Sequence, residues 1–274
     1  MYNGKSVGQA ASRRPILEDC NLKILAVANQ KGGVGKTTTT VNLSACLAQM
    51  GKRVLAIDID PQGNCTSGCG IDKESPELTV YDAMIDGAPV KDAIVQTPLE
   101  NLWLLPARKE LSGAEVELVS RTGREGVLKR ALAPVADDFD FAFIDCPPSL
   151  GLLTVNALTA SDALLSPIQC EYYALEGLSD LMNTVKLVRG GLNPRLSVDG
   201  VVLTMFDART NLSAQVVAEV KRHFQDKVYS TIIPRSVRLS EAPSFGQPIT
   251  VYDGRCTGAQ AYTALAKEFL GRNS

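Results

Sequence analysis

Gln30-Lys31-Gly32-Gly33-Val34-Gly35-Lys36-Thr37-Thr38 is the stretch on which the fold of this chain turns. The apolar run Ile24 to Ala28 before it predicts a buried strand, and Thr39 to Met50 after it carries apolar residues at helical spacing. Strand, glycine-rich loop and helix in that order is the setting in which Gly-Lys-Thr binds phosphate. Glycines let backbone N–H groups approach a polyphosphate because no Cβ stands in the way, and the helix start adds partial positive charge. Lys36 then offers a full charge to the β- and γ-phosphates, and the Thr37 hydroxyl can ligate Mg2+. The competing account is a glycine-rich turn with a solvated lysine.

Outward from this loop, Arg53 to Asp58 predicts a second buried strand whose end delivers Asp58, Asp60 and Pro61-Gln62-Gly63-Asn64. Ligands bind at the carboxyl ends of strands in an open parallel sheet, so two acids there suit Mg2+ or the orientation of a water; turn chemistry before a proline is the plainer account. Phe139 to Asp145 predicts another strand ending in an acid, the pattern of a second Mg2+-linked carboxylate. Cys146-Pro147-Pro148-Ser149-Leu150-Gly151 cannot extend it, because proline lacks the N–H.

Further strands are expected at Leu102 to Leu105, Ala163 to Pro167 and Val201 to Met205, the last reached through turns at Asn193-Pro194 and Asp199-Gly200. Short helices are expected at Val80 to Ile85 and Val90 to Val95, and a helical region at Leu111 to Leu132 broken at Thr122-Gly123. Longer helices follow at Glu176 to Val188, stopped by Gly190-Gly191, at Leu212 to Phe224, and at Ala259 to Leu270. Trp103, among leucines, is expected in the core. This alternation predicts an α/β, doubly wound, mostly parallel sheet with helices on both faces, in one domain over residues 22–274.

Composition narrows the function classes. A net charge of −2 over 274 residues argues against polyanion binding by bulk charge. Seven scattered cysteines in a chain too large to need staples point to a reducing cytoplasm. Cys65 and Cys69 are four apart, but His223 is the one histidine, so small loop residues explain the pair better than zinc. Residues 1–21 lack the apolar core of a signal peptide or membrane span and read as a flexible arm, with Arg13-Arg14 thin support for a phosphate contact. The tail, with Lys267 and Arg272 beside Glu268, does not read as a membrane helix.

One departure from the usual phosphate loop is informative: Gln30 stands where a glycine is expected, and a second lysine, Lys31, opens the loop. With this deviant Walker A string the chain resembles the ParA/Soj chromosome- and plasmid-partitioning ATPases, within the group that includes MinD and the nitrogenase iron protein. The resemblance runs from about Leu22 to the end. It is carried by NQKGGVGKTTT (29–39), DIDPQGN (58–64), IDCPPSLG (144–151), QCEYYALEGL (169–178), TMFDARTN (204–211) and IIPRSVRLSEAPS (232–244).

The resemblance implies that Lys31 reaches the nucleotide of a second subunit, so that two ATP molecules are sandwiched in a homodimer. It implies that Lys31, Lys36 and Asp60 serve catalysis, with Asp60 activating or positioning water. It also implies that Gly32, Gly33, Val34, Gly35, Thr37 and Thr38 complete the ATP site, that Pro234 lies by the adenine, and that Thr37, Asp60 and Asp145 serve Mg2+. The segments through Asn64 and Gly151 are its two switches, and the region of Glu171, Tyr172 and Tyr173 belongs to the dimer face.

Between Arg209 and Arg238 six basic residues stand against two acids, a local excess that suits a phosphate-contacting face, although charged helices are more often merely solvated. The resemblance places Arg209 and Arg238 at positions used for sequence-independent DNA binding. It implies a slow ATPase stimulated by a ParB-like centromere-binding protein, acting on the nucleoid in the cytoplasm. The alternatives are a MinD-like positioning ATPase acting on a membrane or protein cargo, and a small-molecule kinase or ligase, for which no acceptor motif stands out. An iron–sulfur cluster shared between subunits is disfavoured by the partition-type motifs.

Overall fold

The computed structural model describes residues 22–171 and 176–273, with the side chains of 176–179 set aside. The expectations for residues 1–21, Tyr172 and Tyr173 lie outside these residues.

Seven strands form one sheet: β1 (Lys23–Val27), β2 (Val54–Asp58), β3 (Val95–Gln96), β4 (Leu102–Leu105), β5 (Phe141–Asp145), β6 (Ala163–Gln169) and β7 (Ser197–Thr204). Their order is β3-β4-β2-β5-β1-β6-β7, and every pairing is parallel except β3 with β4. β2, β5 and β1 lie side by side in the middle, with Asp58 and Val27 both in register with Asp145. Their carboxyl ends therefore release the phosphate loop, the Asp60 segment and the Pro147-Pro148 segment at one place.

The helices are α1 (Lys36–Gln49), α2 (Asn64–Gly68), α3 (Val90–Ala93), α4 (Leu111–Leu118), α5 (Val127–Leu132), α6 (Leu152–Ala160), α7 (Glu176–Gly191), α8 (Asn211–Phe224), α9 (Val237–Glu241), α10 (Ile249–Tyr252) and α11 (Thr257–Arg272). Alternate strand residues point to opposite faces. Leu25 and Val27 of β1 join a core with Leu43 and Leu47 of α1 and Leu265 and Phe269 of α11. Ala26 joins the opposite core with Leu118, Leu128, Leu158 and Val185 of the intervening helices. The sheet is thus covered on both faces, as the alternation of elements predicts.

Phe269 meets Phe141 and Phe143 at centroid distances of 5.3 and 5.5 Å with no exposed area. Its replacement by alanine would cost about 3–5 kcal/mol. The apolar side of α11 is spent in this core, and among the described residues no helix is long and apolar enough to cross a membrane.

The structure corrects several local expectations. Val95 does not end a helix; α3 stops at Ala93, and Val95–Gln96 turn back as a short antiparallel strand on Leu104 and Trp103. The helix expected at Val80 to Ile85 is mainly a single π-turn, Asp82–Asp86. Asp199-Gly200 is no turn but the middle of β7, where a Cβ on Gly200 would sit 2.6 Å from the Tyr229 ring and 2.7 Å from the Lys227 carbonyl. Gly190 and Gly191 are the last residues of α7 rather than its terminator. Trp103 is half-buried, packed edge-on against Phe139. Cys65 and Cys69 are buried core residues in and just after α2, not loop residues.

Candidate nucleotide and magnesium site

Gly35 stands immediately before α1 with φ 90°, a left-handed conformation that glycine tolerates and other residues resist. No side chain caps α1, so its first N–H groups face the loop, the arrangement that receives phosphate. Neighbours brace the loop from behind. Thr204 Oγ1 donates to the Val34 carbonyl at 2.8 Å. Buried Asn29 donates to the Pro167 carbonyl at 2.8 Å and accepts from Lys31 N–H at 3.0 Å.

The two loop lysines differ. Lys36 is buried, its ammonium 3.2 Å from the Lys31 carbonyl, and burial lowers its pKa against the opposing pull of Asp145 and Asp60. Lys31 instead sends its ammonium to the surface, 3.6 Å from a Glu171 oxygen. Glu171 also takes Arg235 at 3.3 Å and is bonded by Gln169. Glu171 thus bridges the loop entrance and the Pro234-Arg235 segment.

Asp145 and Asp60 lie near Lys36, and Asp58 stands beside Asp145. Asp145 accepts from Thr37 Oγ1 at 2.7 Å and from Thr40 Oγ1 at 3.2 Å. It is fully buried, and desolvation together with the Asp58 charge drives its pKa well above the usual carboxylate range. Asp58, its register partner, is buried as well and pushed up to about 7 by desolvation. Asp60 follows two residues on, with Oδ1 accepting from Gln62 N–H at 2.9 Å. Thr37, Asp60 and Asp145 are hard oxygen donors of the kind Mg2+ prefers. Among the described residues no group of three His, Cys, Asp or Glu forms a metal cage, so a cation here would share oxygens with a phosphate. A buried ammonium, free helix N–H groups and surplus carboxylates fit a nucleotide triphosphate with Mg2+.

Beside the loop lies a cavity of about 200 Å3 between Gly35 and Thr38 on one side and Met205, Pro234 and Arg235 on the other. Met205 has φ 52°, a strained conformation for methionine and one that marks functional sites. Pro234 is bridged to Phe206, which sets the Ile233–Arg235 segment beside the residue that follows Met205. Neither arginine lies in the nucleotide cleft. Arg209 grips Asp207 through two N–H groups at 2.9 and 2.7 Å, and Arg238 is shared by Glu241 at 3.0 Å and Asp253 at 3.5 Å. A larger cavity, about 560 Å3, opens between Ser67–Asp72 and Pro243–Pro248, with none of Asp58, Asp60 and Asp145 in its lining. Sequence patterns did not single out Asn29, Thr40 or Thr66, whose contacts span the fold.

A doubly wound sheet with a phosphate loop, a buried lysine and flanking carboxylates defines a P-loop nucleotide-binding protein. The family model described as an AAA domain (AAA_31) matches residues 22–198. The sporulation initiation inhibitor protein Soj of Bacillus subtilis is 63% identical over 246 residues, 90% of this chain and 97% of Soj. The chromosome partitioning protein ParA of Caulobacter vibrioides is 54% identical over 253 residues, 92% of this chain and 95% of ParA. A crystal structure described as cobyrinic acid a,c-diamide synthase of Mycobacterium smegmatis, with bound ATP analog and magnesium, superposes with a TM-score of 0.80. It is 39% identical and covers 91% of this chain and 94% of its own. The chain belongs to the Soj/ParA family of chromosome-partitioning ATPases.

Proposed function

We propose that this ATPase is a dimerising switch: two chains close over two nucleotides, the closed pair binds DNA without regard to sequence, and hydrolysis releases it. The observation that carries this reading is the separation of the two loop lysines. Lys36 is buried over the phosphate site, whereas the Lys31 ammonium points to the surface, where it can serve the nucleotide of a second copy. Residues 22–274 act as one ATPase domain.

ATP and Mg2+ are the cofactors. Lys36 and the backbone N–H groups from Gly32 to Thr38 hold the phosphates, Pro234 packs by the base, and Asp60 orients the attacking water. Thr37, Asp60 and Asp145 would hold Mg2+, which when bound neutralises charge developing on the phosphates. Arg209 and Arg238 bind backbone phosphates, so affinity falls steeply with salt, and two such faces act together with far greater avidity than one. A ParB-like centromere-binding protein stimulates an otherwise slow turnover, and the protein works on the nucleoid in the cytoplasm. A membrane-directed version of the same switch gains no support from α11, whose apolar side is buried.

The test uses Asp60→Ala with ATP. Light scattering should report a dimer, with hydrolysis slowed by about a hundredfold or more; a single chain refutes the switch, and a normal rate refutes the role of Asp60. Arg238→Glu, in the same assay, should still dimerise yet lose the gel shift that the parent gives with any duplex. A retained shift removes the DNA face.

A further inference from the structure

We infer that Thr66 is a positioning residue for hydrolysis, its hydroxyl fixing the Asp58 carboxylate that in turn holds Asp60 over the phosphate loop. The inference rests on the proposed water-orienting role of Asp60.

The two oxygens of Asp58 have separate duties. Oδ1 accepts from Asp60 N–H at 3.1 Å. Oδ2 accepts from both Thr66 N–H and Thr66 Oγ1, each at 2.8 Å. Thr66 Oγ1 itself accepts from Ala107 N–H at 3.0 Å, and Thr66 has no exposed area. One buried hydroxyl therefore gives and receives a hydrogen bond, tying β2, α2 and the segment beyond β4. The intervening loop is closed by Gln62 N–H on Asp60 Oδ1 at 2.9 Å and by Gly63 N–H on the Asp60 carbonyl at 2.9 Å. Asp60 is thus carried as a unit by Asp58, and Asp58 cannot turn while Thr66 holds its other oxygen.

Valine fills the volume of threonine but strands the Ala107 N–H and one acceptor site of Asp58, whereas serine keeps both bonds and loses a methyl group. If Thr66 served packing alone, valine would outperform serine; if it positions Asp60, serine outperforms valine. A displacement of about 1 Å at a reacting group can cost a hundredfold in rate.

The experiment compares Thr66→Ser and Thr66→Val in the full chain. Thr66→Val should bind ATP within about threefold of the parent while kcat falls about tenfold or more, and Thr66→Ser should recover kcat to within about threefold. In the nucleotide-free protein, the amides of residue 60 and residues 62–66 should exchange faster in Thr66→Val than in Thr66→Ser. Thr66→Val added to Asp60→Ala should produce no further fall. A parental kcat in Thr66→Val, or valine ranking above serine, overturns the inference. If Asp60→Ala alone hydrolyses normally, the water-orienting role fails, and equal amide exchange in the two Thr66 variants then rejects the loop-fixing role separately. Should Thr66→Val not fold, Thr66→Ala removes the same hydroxyl without forcing volume into the site.

Discussion

The two ends of the central sheet treat charge in opposite ways. At the amino end, Lys23 lies 3.6 Å from Asp199, which accepts the Tyr229 hydroxyl. Arg272 covers the Tyr229 ring at 4.0 Å and pairs with Glu268 at 2.8 Å, while Glu268 also accepts the N–H groups of Ser230 and Thr231. Arg53 and Asp140 close the same end with a 2.8 Å contact. At the carboxyl end, Asp60 and Asp145 share one buried ammonium, Lys36, while Asp58 beside Asp145 has no cation among the described residues, and desolvation drives Asp58 and Asp145 toward their neutral forms. A desolvated charge lacking a complement costs stability, and a fold tolerates that cost where a ligand supplies the complement. The amino end holds the molecule together; the carboxyl end waits for phosphate and a divalent cation.

The most severe way to break this contrast is Lys36→Met. It should weaken ATP binding about a hundredfold or more in calorimetry, because the full charge offered to the β- and γ-phosphates is lost. A parental ATP affinity would show that Lys36 does not hold the phosphates. Tyr229→Phe should do the reverse. We expect about 1–2 kcal/mol less stability in urea unfolding and an unaltered ATP affinity; a shift in affinity would show that the two ends are coupled.

The smallest effect belongs to Asp140→Asn. The Arg53 guanidinium holds the Asp140 carboxyl below its usual pKa. A group depressed in the folded state stabilises above its unfolded pKa and loses that contribution as pH falls through the folded value. The gap in urea midpoint between parent and variant should therefore be constant above about pH 5, worth no more than about 1 kcal/mol for a partly exposed pair, and close at lower pH. A gap that widens on acidification would contradict the pairing.

What could be read from the sequence was local. The phosphate loop, its strand and its helix are contiguous, so Gly35, Lys36 and Thr37 declare themselves, and the strands ending at Asp58 and Asp145 follow from unbroken apolar runs. What escaped depends on distant partners. Gly200 reads as a turn because the Tyr229 ring that demands a glycine is 29 positions away. Val95–Gln96 is too short for any period and becomes a strand through its pairing with β4. Thr66 looks like any small polar residue until Ala107, in the segment beyond β4, supplies its donor. The Lys31 contact with Glu171 crosses from one strand end to another and leaves no pattern along the chain.

Both borders of the sheet are stopped. On one side Val95–Gln96 lies antiparallel on β4, with the Gln96 amide donating to the Leu102 carbonyl. On the other the segment from Val228 to Ile233 runs along β7, Tyr229 and Ile233 donating to the Val201 and Leu203 carbonyls. A strand of another molecule finds little open backbone to zip onto, so fibre-like growth by sheet extension is discouraged at either margin. Association between copies therefore falls to surfaces other than these two strand edges.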